Sequence, residues 1–98
     1  MSTSNVDRVL ASLTASHDSQ VKELVDWLKI KSISTDPAYR EECKAAAAWA
    51  GDHLTKSGLR VELCPTGTAA APGHPIVLAH APGSAEYKGP HVLFYGHY

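Results

Sequence analysis

The stretch Val92-Leu93-Phe94-Tyr95-Gly96-His97-Tyr98 stands at the end of the sequence. Its first four residues are apolar without alternation, which predicts a strand over His91–Gly96 that is covered on both faces, as in the middle of an α/β sheet. Gly96 then permits an unusual turn and close backbone approach. Open α/β sheets carry their functional side chains at the carboxyl ends of strands. His97 is therefore the first candidate for a functional residue.

The position of this stretch also bears on domain organisation. A folded domain rarely ends in a buried strand, because termini usually lie in exposed, loosely held chain. We therefore expect residues 1–98 to be the N-terminal part of a single, longer catalytic domain that is truncated within its first active-site motif. In an extended chain, residues two apart point to the same side. A carboxylate two residues after His97 would share its face and could help to hold a metal ion, although spacing and chemistry alone favour an ordinary histidine at a strand end, satisfied by a backbone hydrogen bond.

Two further strands are predicted upstream of this stretch. Residues 59–64 alternate between apolar and polar side chains, which is typical of a half-buried strand, and residues 76–79 form a second short apolar run. The segments 65–75 and 81–90 are rich in proline and glycine and are predicted to be loops. The first two strands could pair as an antiparallel hairpin.

The first helix is indicated by apolar residues at steps of three and four. We call this set, together with its central histidine, the N-terminal stripe: Val6, Val9, Leu10, Leu13, His17, Val21, Leu24, Val25 and Leu28. The pattern favours one helix from about Asn5 to Ile30, with or without a kink; alternatively, Ser16 caps a second helix. Trp27 is expected to be a partly buried packing residue.

The second predicted helix has clear signals at both ends. Asp36 followed by Pro37 is typical of an N-cap and a first helical residue, and Gly58 is typical of the residue that stops a helix. The helix should therefore run from Pro37 to about Ser57. Its buried stripe is expected to consist of Tyr39, Cys43, Ala46, Ala47, Ala50 and Leu54. The fold class is thus α/β, with two N-terminal helices followed by three strands.

Composition excludes several classes of function. The chain has 98 residues, 44% hydrophobic and 19% charged, with a net charge of −1. This indicates one small globular domain without the basic surface that nucleic acid or an anionic membrane would require. No apolar stretch approaches transmembrane length, and the polar start, residues 1–5, is not a secretory signal. Cys43 and Cys64 are expected to be reduced thiols of a cytoplasmic protein, with a disulfide or metal pair as the alternative.

The remaining histidines offer weaker candidates than His97. His17 and His53 lie in helical patterns, His74 and His91 lie in loops beside prolines, and His80 ends the second strand. Among these residues no pair has the spacing of a metal site on one helix. The acidic residues lie mostly on the helices, where capping and ion pairing explain them. The chain contains no complete catalytic set.

The stretch Leu93–Tyr98 resembles the first metal-binding motif of the dinuclear zinc exopeptidases. This family includes carnosine-type dipeptidases, glutamate carboxypeptidases, acetylornithine deacetylases and succinyl-diaminopimelate desuccinylases. In the family, a strand that ends in Gly-His-x-Asp supplies a histidine to zinc. Upstream segments are similar in the same order, most closely to the dipeptidase branch. They are Ile33–Pro37 with Tyr39 and Arg40, Ala48–Leu54, Gly58–Glu62, and Pro75–Ala79.

The resemblance implies the fold, the chemistry and the role of one residue. It implies the start of a zinc-exopeptidase catalytic domain with a mixed sheet, in which His97 binds one of two zinc ions; manganese or cobalt could replace zinc. The substrates would be dipeptides or short peptides, hydrolysed by a metal-activated water, and Tyr98 would have a packing or pocket role. The family's other ligands, its general base and the domain through which it forms homodimers have no counterpart in this sequence, so these 98 residues are expected to be inactive alone.

Two other functions stay open at this point. Within the same family, the chain could belong to a deacylase or desuccinylase that acts on N-acyl amino acids. From a different class, it could be a small non-catalytic α/β binding module that ends naturally at Tyr98.

Overall fold

The structure is a computed structural model that describes residues 4–98. Met1–Thr3, which belong to the predicted polar start, lie outside the described residues. The elements are α1 (Asn5–Ala15), α2 (His17–Leu28), a 3₁₀ turn (Pro37–Tyr39), α3 (Arg40–Lys56), β1 (Arg60–Cys64) and β2 (Ile76–His80). The mixed α/β class is confirmed, but the described residues contain two strands rather than three.

The first predicted helix is divided at Ser16 into α1 and α2. Ser4 caps α1: its hydroxyl oxygen accepts a hydrogen bond from the Asp7 amide at 3.0 Å, which satisfies one of the free amides at a helix start. The division lies where the alternative placed it, but its cause differs. The Ser16 hydroxyl donates back to the Ser12 carbonyl at 2.7 Å and does not cap α2. Such a bond to the preceding turn often bends helices.

Both ends of α3 follow the local signals in the sequence. The Asp36 carboxylate accepts from the Ala38 amide at 2.9 Å, and Pro37 begins a single 3₁₀ turn that leads into the α-helix. At the other end, Gly58 has a positive φ of 93°. The Gly58 amide donates to the Thr55 carbonyl and the Leu59 amide to the Leu54 carbonyl, which is the Schellman arrangement that glycine favours.

β1 and β2 form the predicted antiparallel pair, in the register Arg60 to His80 through Cys64 to Ile76. The long loop between them is folded on itself, because the Gly73 amide donates to the Thr66 carbonyl and the Thr66 hydroxyl donates to the His74 carbonyl. Successive residues point to opposite faces of the sheet. Val61, Val77 and Ala79 are half-buried, whereas the opposite face is mostly exposed.

The core lies where α3 packs on this small sheet. Cys43, Ala46 and Ala47 are at most 1% exposed, and they belong to the predicted buried stripe. Gly51 is also buried, and a Cβ atom placed on it would lie 3.3 Å from Val61 Cγ1. The small side chains therefore let the helix backbone approach the sheet closely.

The prediction of a third strand over His91–Gly96 is wrong for this structure. Residues 91–98 have no regular secondary structure, and Val92, Leu93, Phe94 and Tyr95 are 75–91% exposed. The physical reason is that, in the described structure, only one face of the sheet is covered by another layer. A run with apolar side chains on both faces gains from burial only where both faces are covered, and α3 covers one face of a sheet whose other face leaves Leu78 exposed.

The molecule is elongated. Its Cα radius of gyration is 17.0 Å and its extents are 60 × 34 × 17 Å, whereas a compact domain of this length has a radius of roughly 13 Å. Among the elements of residues 4–98, α1 packs appreciably against α2 alone. The N-terminal helices therefore project from the body formed by α3, β1 and β2.

A test of the close helix–sheet approach is the substitution Gly51→Val. Valine is a better helix former than glycine, but its branches would meet Val61 and Leu63, whose side-chain atoms already lie 3.3 and 3.4 Å from a Cβ at this site. We expect the free energy of unfolding to fall by about 1–3 kcal/mol, measured by urea denaturation followed by tryptophan fluorescence. The control Ala48→Val, on the exposed face of the same helix, should cost about 0.5 kcal/mol. Equal losses in the two variants would contradict the close approach.

Candidate metal-binding groove

The candidate histidine lies beside a groove along β2. We use "the groove" for the space of about 690 Å³ bounded by Trp27, by α3, by residues 74–78 and by Leu93–Tyr98. The wall formed by α3 includes Cys43 and Leu54. Most of the lining is apolar, and imidazole, thiol and phenol groups are placed among it. A pocket with a few polar groups in an apolar lining is the usual form of a binding site.

Tyr98 fixes the end of the chain to the body. Its hydroxyl donates a hydrogen bond to the carbonyl oxygen of Pro75, the residue before β2. Burial raises the pKa of the Tyr98 hydroxyl above its usual value, and the nearby Cys43 thiol, once ionised, raises it further. Tyr98 was expected to have a packing or pocket role, and it does line the groove.

His97 is held by its neighbours rather than by a strand. Its ring packs edge-to-face against Tyr95, with 5.1 Å between the ring centroids and 76° between the planes. This contact places the two side chains on the same side of the chain. The His97 side chain lines the groove and is exposed. An accessible imidazole of this kind can bind a metal ion through either nitrogen.

His74 also lines the groove. Its position in the sequence predicts a loop residue and no functional role. Its Nε2 lies 3.0 Å from the carbonyl oxygen of Ser34. Since a carbonyl oxygen accepts and does not donate, Nε2 carries a proton, and in the neutral imidazole Nδ1 is then an acceptor. This Nδ1 atom is buried and has no hydrogen-bond partner. The one local signal in the sequence is the following Pro75, which restricts the His74 backbone to extended conformations.

The groove does not assemble a metal centre from the described residues. His97, His74 and Cys43 share its lining, but within residues 4–98 no three His, Cys, Asp or Glu side chains are close enough together to hold a metal ion. The structure thus brings the predicted ligand His97 to a groove and gives it no cluster of further ligands within this range.

The other histidines lie away from the groove. His53 stacks on Trp49 at 5.1 Å, and its Nδ1 is 3.9 Å from a Glu23 carboxylate oxygen. His17 begins α2, and both it and His91 are exposed. These positions agree with the surface or loop locations predicted for them.

Trp27 and the two cysteines have structural positions that the sequence anticipated. The Trp27 indole donates from Nε1 to the Ala46 carbonyl at 3.1 Å, and its ring stacks on Trp49 at 5.4 Å. It is half-buried, as expected for a packing residue. Cys43 and Cys64 are both free thiols in the described structure.

Comparison with known proteins does not assign the chain to a family. No family model matches the chain, and no curated protein or solved structure is significantly similar to it. None of the helices in the part of the chain that the structure describes is long and apolar enough to cross a membrane.

The raised pKa of Tyr98 predicts a loss of stability at alkaline pH. When a folded-state pKa lies above the unfolded value, the unfolded state releases its proton first, so stability falls as pH rises from the unfolded pKa of 10.0 through the folded pKa. We expect the urea midpoint of the wild-type chain to decrease above this pH, and that of Tyr98→Phe to decrease less. Tyr95→Phe, which changes an exposed hydroxyl, should behave like the wild type. The same alkaline decrease in all three chains would show that Tyr98 has no part in it.

Proposed function

We propose that the chain is the N-terminal portion of a cytoplasmic, zinc-dependent hydrolase that cleaves dipeptides or short peptides, and that His97 is one ligand of its metal centre. The observation that carries the proposal is the segment Leu93–Tyr98. It is similar to the first metal-binding motif of the dinuclear zinc exopeptidases, and its histidine presents an accessible imidazole beside the groove.

The order of the elements supports the same proposal. The resemblance involves a connector, a helix, a first strand and a second strand. The chain has a connector that ends at Asp36, then α3, a glycine stop at Gly58, and the antiparallel pair of β1 and β2. These elements come before the histidine segment, and β2 borders the groove that His97 lines.

The chemistry of His97 fits zinc as a single ligand. Zinc accepts imidazole nitrogen at about 2.0–2.1 Å and takes about four ligands in all. Since residues 4–98 contain no group of three metal-binding side chains, the proposal requires the other ligands to come from outside this range. Zinc, when bound, supplies an activated water and polarises the scissile carbonyl. The part of this chain is to present His97, whose position is restrained by the Tyr98 hydrogen bond to Pro75.

The first test concerns the coding sequence and the isolated chain. We expect an aspartate codon directly after that of Tyr98, because a carboxylate two residues from His97 would share its side of an extended chain. We also expect the purified 98-residue chain to hydrolyse no dipeptide in the presence of zinc, since one histidine cannot complete a zinc site. A stop codon at that position, or chelator-sensitive dipeptidase activity of the isolated chain, would contradict the proposal.

The second test removes the ligand in the full-length product of the gene. The variant His97→Ala should lower kcat/KM for dipeptides by a factor on the order of 100 or more and reduce the bound zinc measured by atomic absorption. The matched control is His91→Ala, which removes an exposed imidazole from the same segment and should leave both quantities unchanged.

The same protein separates the two hydrolase activities. A panel of dipeptides and N-acyl amino acids should show preference for the dipeptides; preference for the N-acyl compounds would favour the deacylase instead. Full activity of His97→Ala would remove His97 from the metal centre, whichever substrate is preferred.

A further inference from the structure

The N-terminal stripe is uncovered along its whole length. Its eight apolar residues, which extend from Val6 to Leu28, are 41–70% exposed. The two helices meet at Ser16, whose amide donates to the Ser12 carbonyl as the last bond of α1 and whose carbonyl accepts from the Gln20 amide as the first bond of α2. The stripe therefore runs along the exposed faces of two consecutive helices. An apolar surface of this length is unusual on a monomer and marks a site of interaction.

The body of the molecule does not use this surface. α2 meets α3 through another side: Trp27 bonds to the Ala46 carbonyl, and Glu23 lies near His53. On an ideal helix, with about 100° per residue, Trp27 is about 80° away from the direction of His17, and Glu23 is about 120° away on the same side. α1 projects beyond α3, so another molecule can approach the stripe along both helices.

The apolar residues of the stripe are spaced symmetrically about His17. Residues 4, 7, 8 and 11 positions before His17 are apolar, and so are residues 4, 7, 8 and 11 positions after it. On ideal helix geometry, the four that belong to α1 lie within a sector of about 100°, and so do the four that belong to α2. The four pairs are Leu13 and Val21, Leu10 and Leu24, Val9 and Val25, and Val6 and Leu28.

We propose that this surface binds a second copy of the chain, as an antiparallel helix pair whose twofold axis passes beside His17. A twofold interface uses the same surface on both subunits. In an antiparallel pair centred on His17, residues equally distant from it in opposite directions come to the same level. Val6 of one copy is then level with Leu28 of the other, and Leu10 with Leu24. The mirrored spacing thus places every apolar residue opposite another.

The charges at the ends of the stripe are complementary in this arrangement. Asp7 lies in the first turn of α1, and Lys29 is the C-cap of α2. They are ten positions before and twelve positions after His17, so the twofold axis brings the carboxylate of one copy close to the level of the ammonium group of the other. Measured from the centre of the apolar face of its own helix, Asp7 lies about 110° away and Lys29 about 90° away in the same rotational sense, which puts both on the same edge of the pair. A parallel pair would place like ends together instead.

The surface is small for a protein–protein interface. The span from Val6 to Leu28 is about 35 Å long at about 1.5 Å per residue, and a helix with its side chains is about 10 Å wide. This footprint of roughly 350 Å² per copy is smaller than the roughly 800 Å² per partner of a standard interface, so we expect weak association. Because area alone does not set affinity, association must be measured up to about 500 µM.

The first test is sedimentation equilibrium of the 98-residue chain. We expect a monomer–dimer equilibrium for the wild type, at least tenfold weaker association for Leu24→Lys, and tighter association for His17→Leu, which replaces the polar residue at the axis. The control Ser12→Lys lies about 110° from the centre of the apolar face of α1 and should associate like the wild type. Circular dichroism checks that each variant keeps its helices. A wild-type chain with intact helices that stays monomeric at 500 µM would overturn the proposal.

The second test determines the direction of pairing. A His17→Cys chain should form a disulfide-linked dimer on mild oxidation, since the two copies of residue 17 meet at the axis. Leu28→Cys alone should not link to itself, but should link to a Val6→Cys chain when the two are mixed. Self-linking of Leu28→Cys would show parallel pairing and overturn the antiparallel arrangement. The native thiols are present in every variant, so the wild-type chain gives the background.

The third test uses the charges. Lys29→Glu should weaken association several-fold, and adding Asp7→Lys to it should restore association, because the pair of opposite charges is then reversed. Failure of this rescue would remove the charge pairing from the proposal. No residue of the stripe lines the groove, so these results do not depend on whether His97 binds a metal.

Discussion

The close packing of α3 on the two-stranded sheet supports the rest of the described structure. It depends on small side chains: Cys43, Ala46 and Ala47 are buried, and Gly51 leaves space for Val61. Small residues bury little apolar area, so they contribute less to the hydrophobic free energy than leucine or phenylalanine would. Their contribution is geometric, because they let two backbones approach and thereby fix the helix relative to both strands.

This geometry determines where the larger apolar residues are left. α2 is joined to α3 through the stacked Trp27 and Trp49 rings, and this side-on contact turns the N-terminal stripe away from the core. The single layer on the sheet likewise leaves Val92–Tyr95 uncovered. The two exposed surfaces differ in kind. The stripe is helical and its apolar residues are spaced symmetrically about His17, which suits a second copy of itself, whereas residues 92–95 are four consecutive apolar residues without regular secondary structure.

The features that could be predicted from the sequence are those with local causes. Asp36 and Pro37 start a helix, Gly58 ends it, and the alternation along 59–64 produces a strand, because each depends on the geometry of its own residues. The third strand failed because coverage of both faces depends on neighbouring layers, which a local pattern cannot supply. Gly51 was missed for a similar reason: a glycine in a helical pattern does not reveal what lies opposite. The orientation of the His74 ring depends on its hydrogen bond to Ser34, forty residues away, which the sequence around His74 does not reveal.

The chemistry of the candidate site depends on how firmly His97 is held in place. A metal ligand must be held within a fraction of an ångström of its productive position, and rigid strands do this better than loops. In the described structure His97 is restrained by its contact with Tyr95 and by the Tyr98 hydrogen bond to Pro75. The backbone of residues 92–96 makes no backbone–backbone hydrogen bond in the described structure. Under the proposed function, a strand from outside residues 4–98 would pair with these residues, bury their apolar side chains and immobilise the backbone that carries His97. Strand pairing and formation of the metal centre would then be one coupled event, in which the free energy of burying Val92–Tyr95 also orders the ligand.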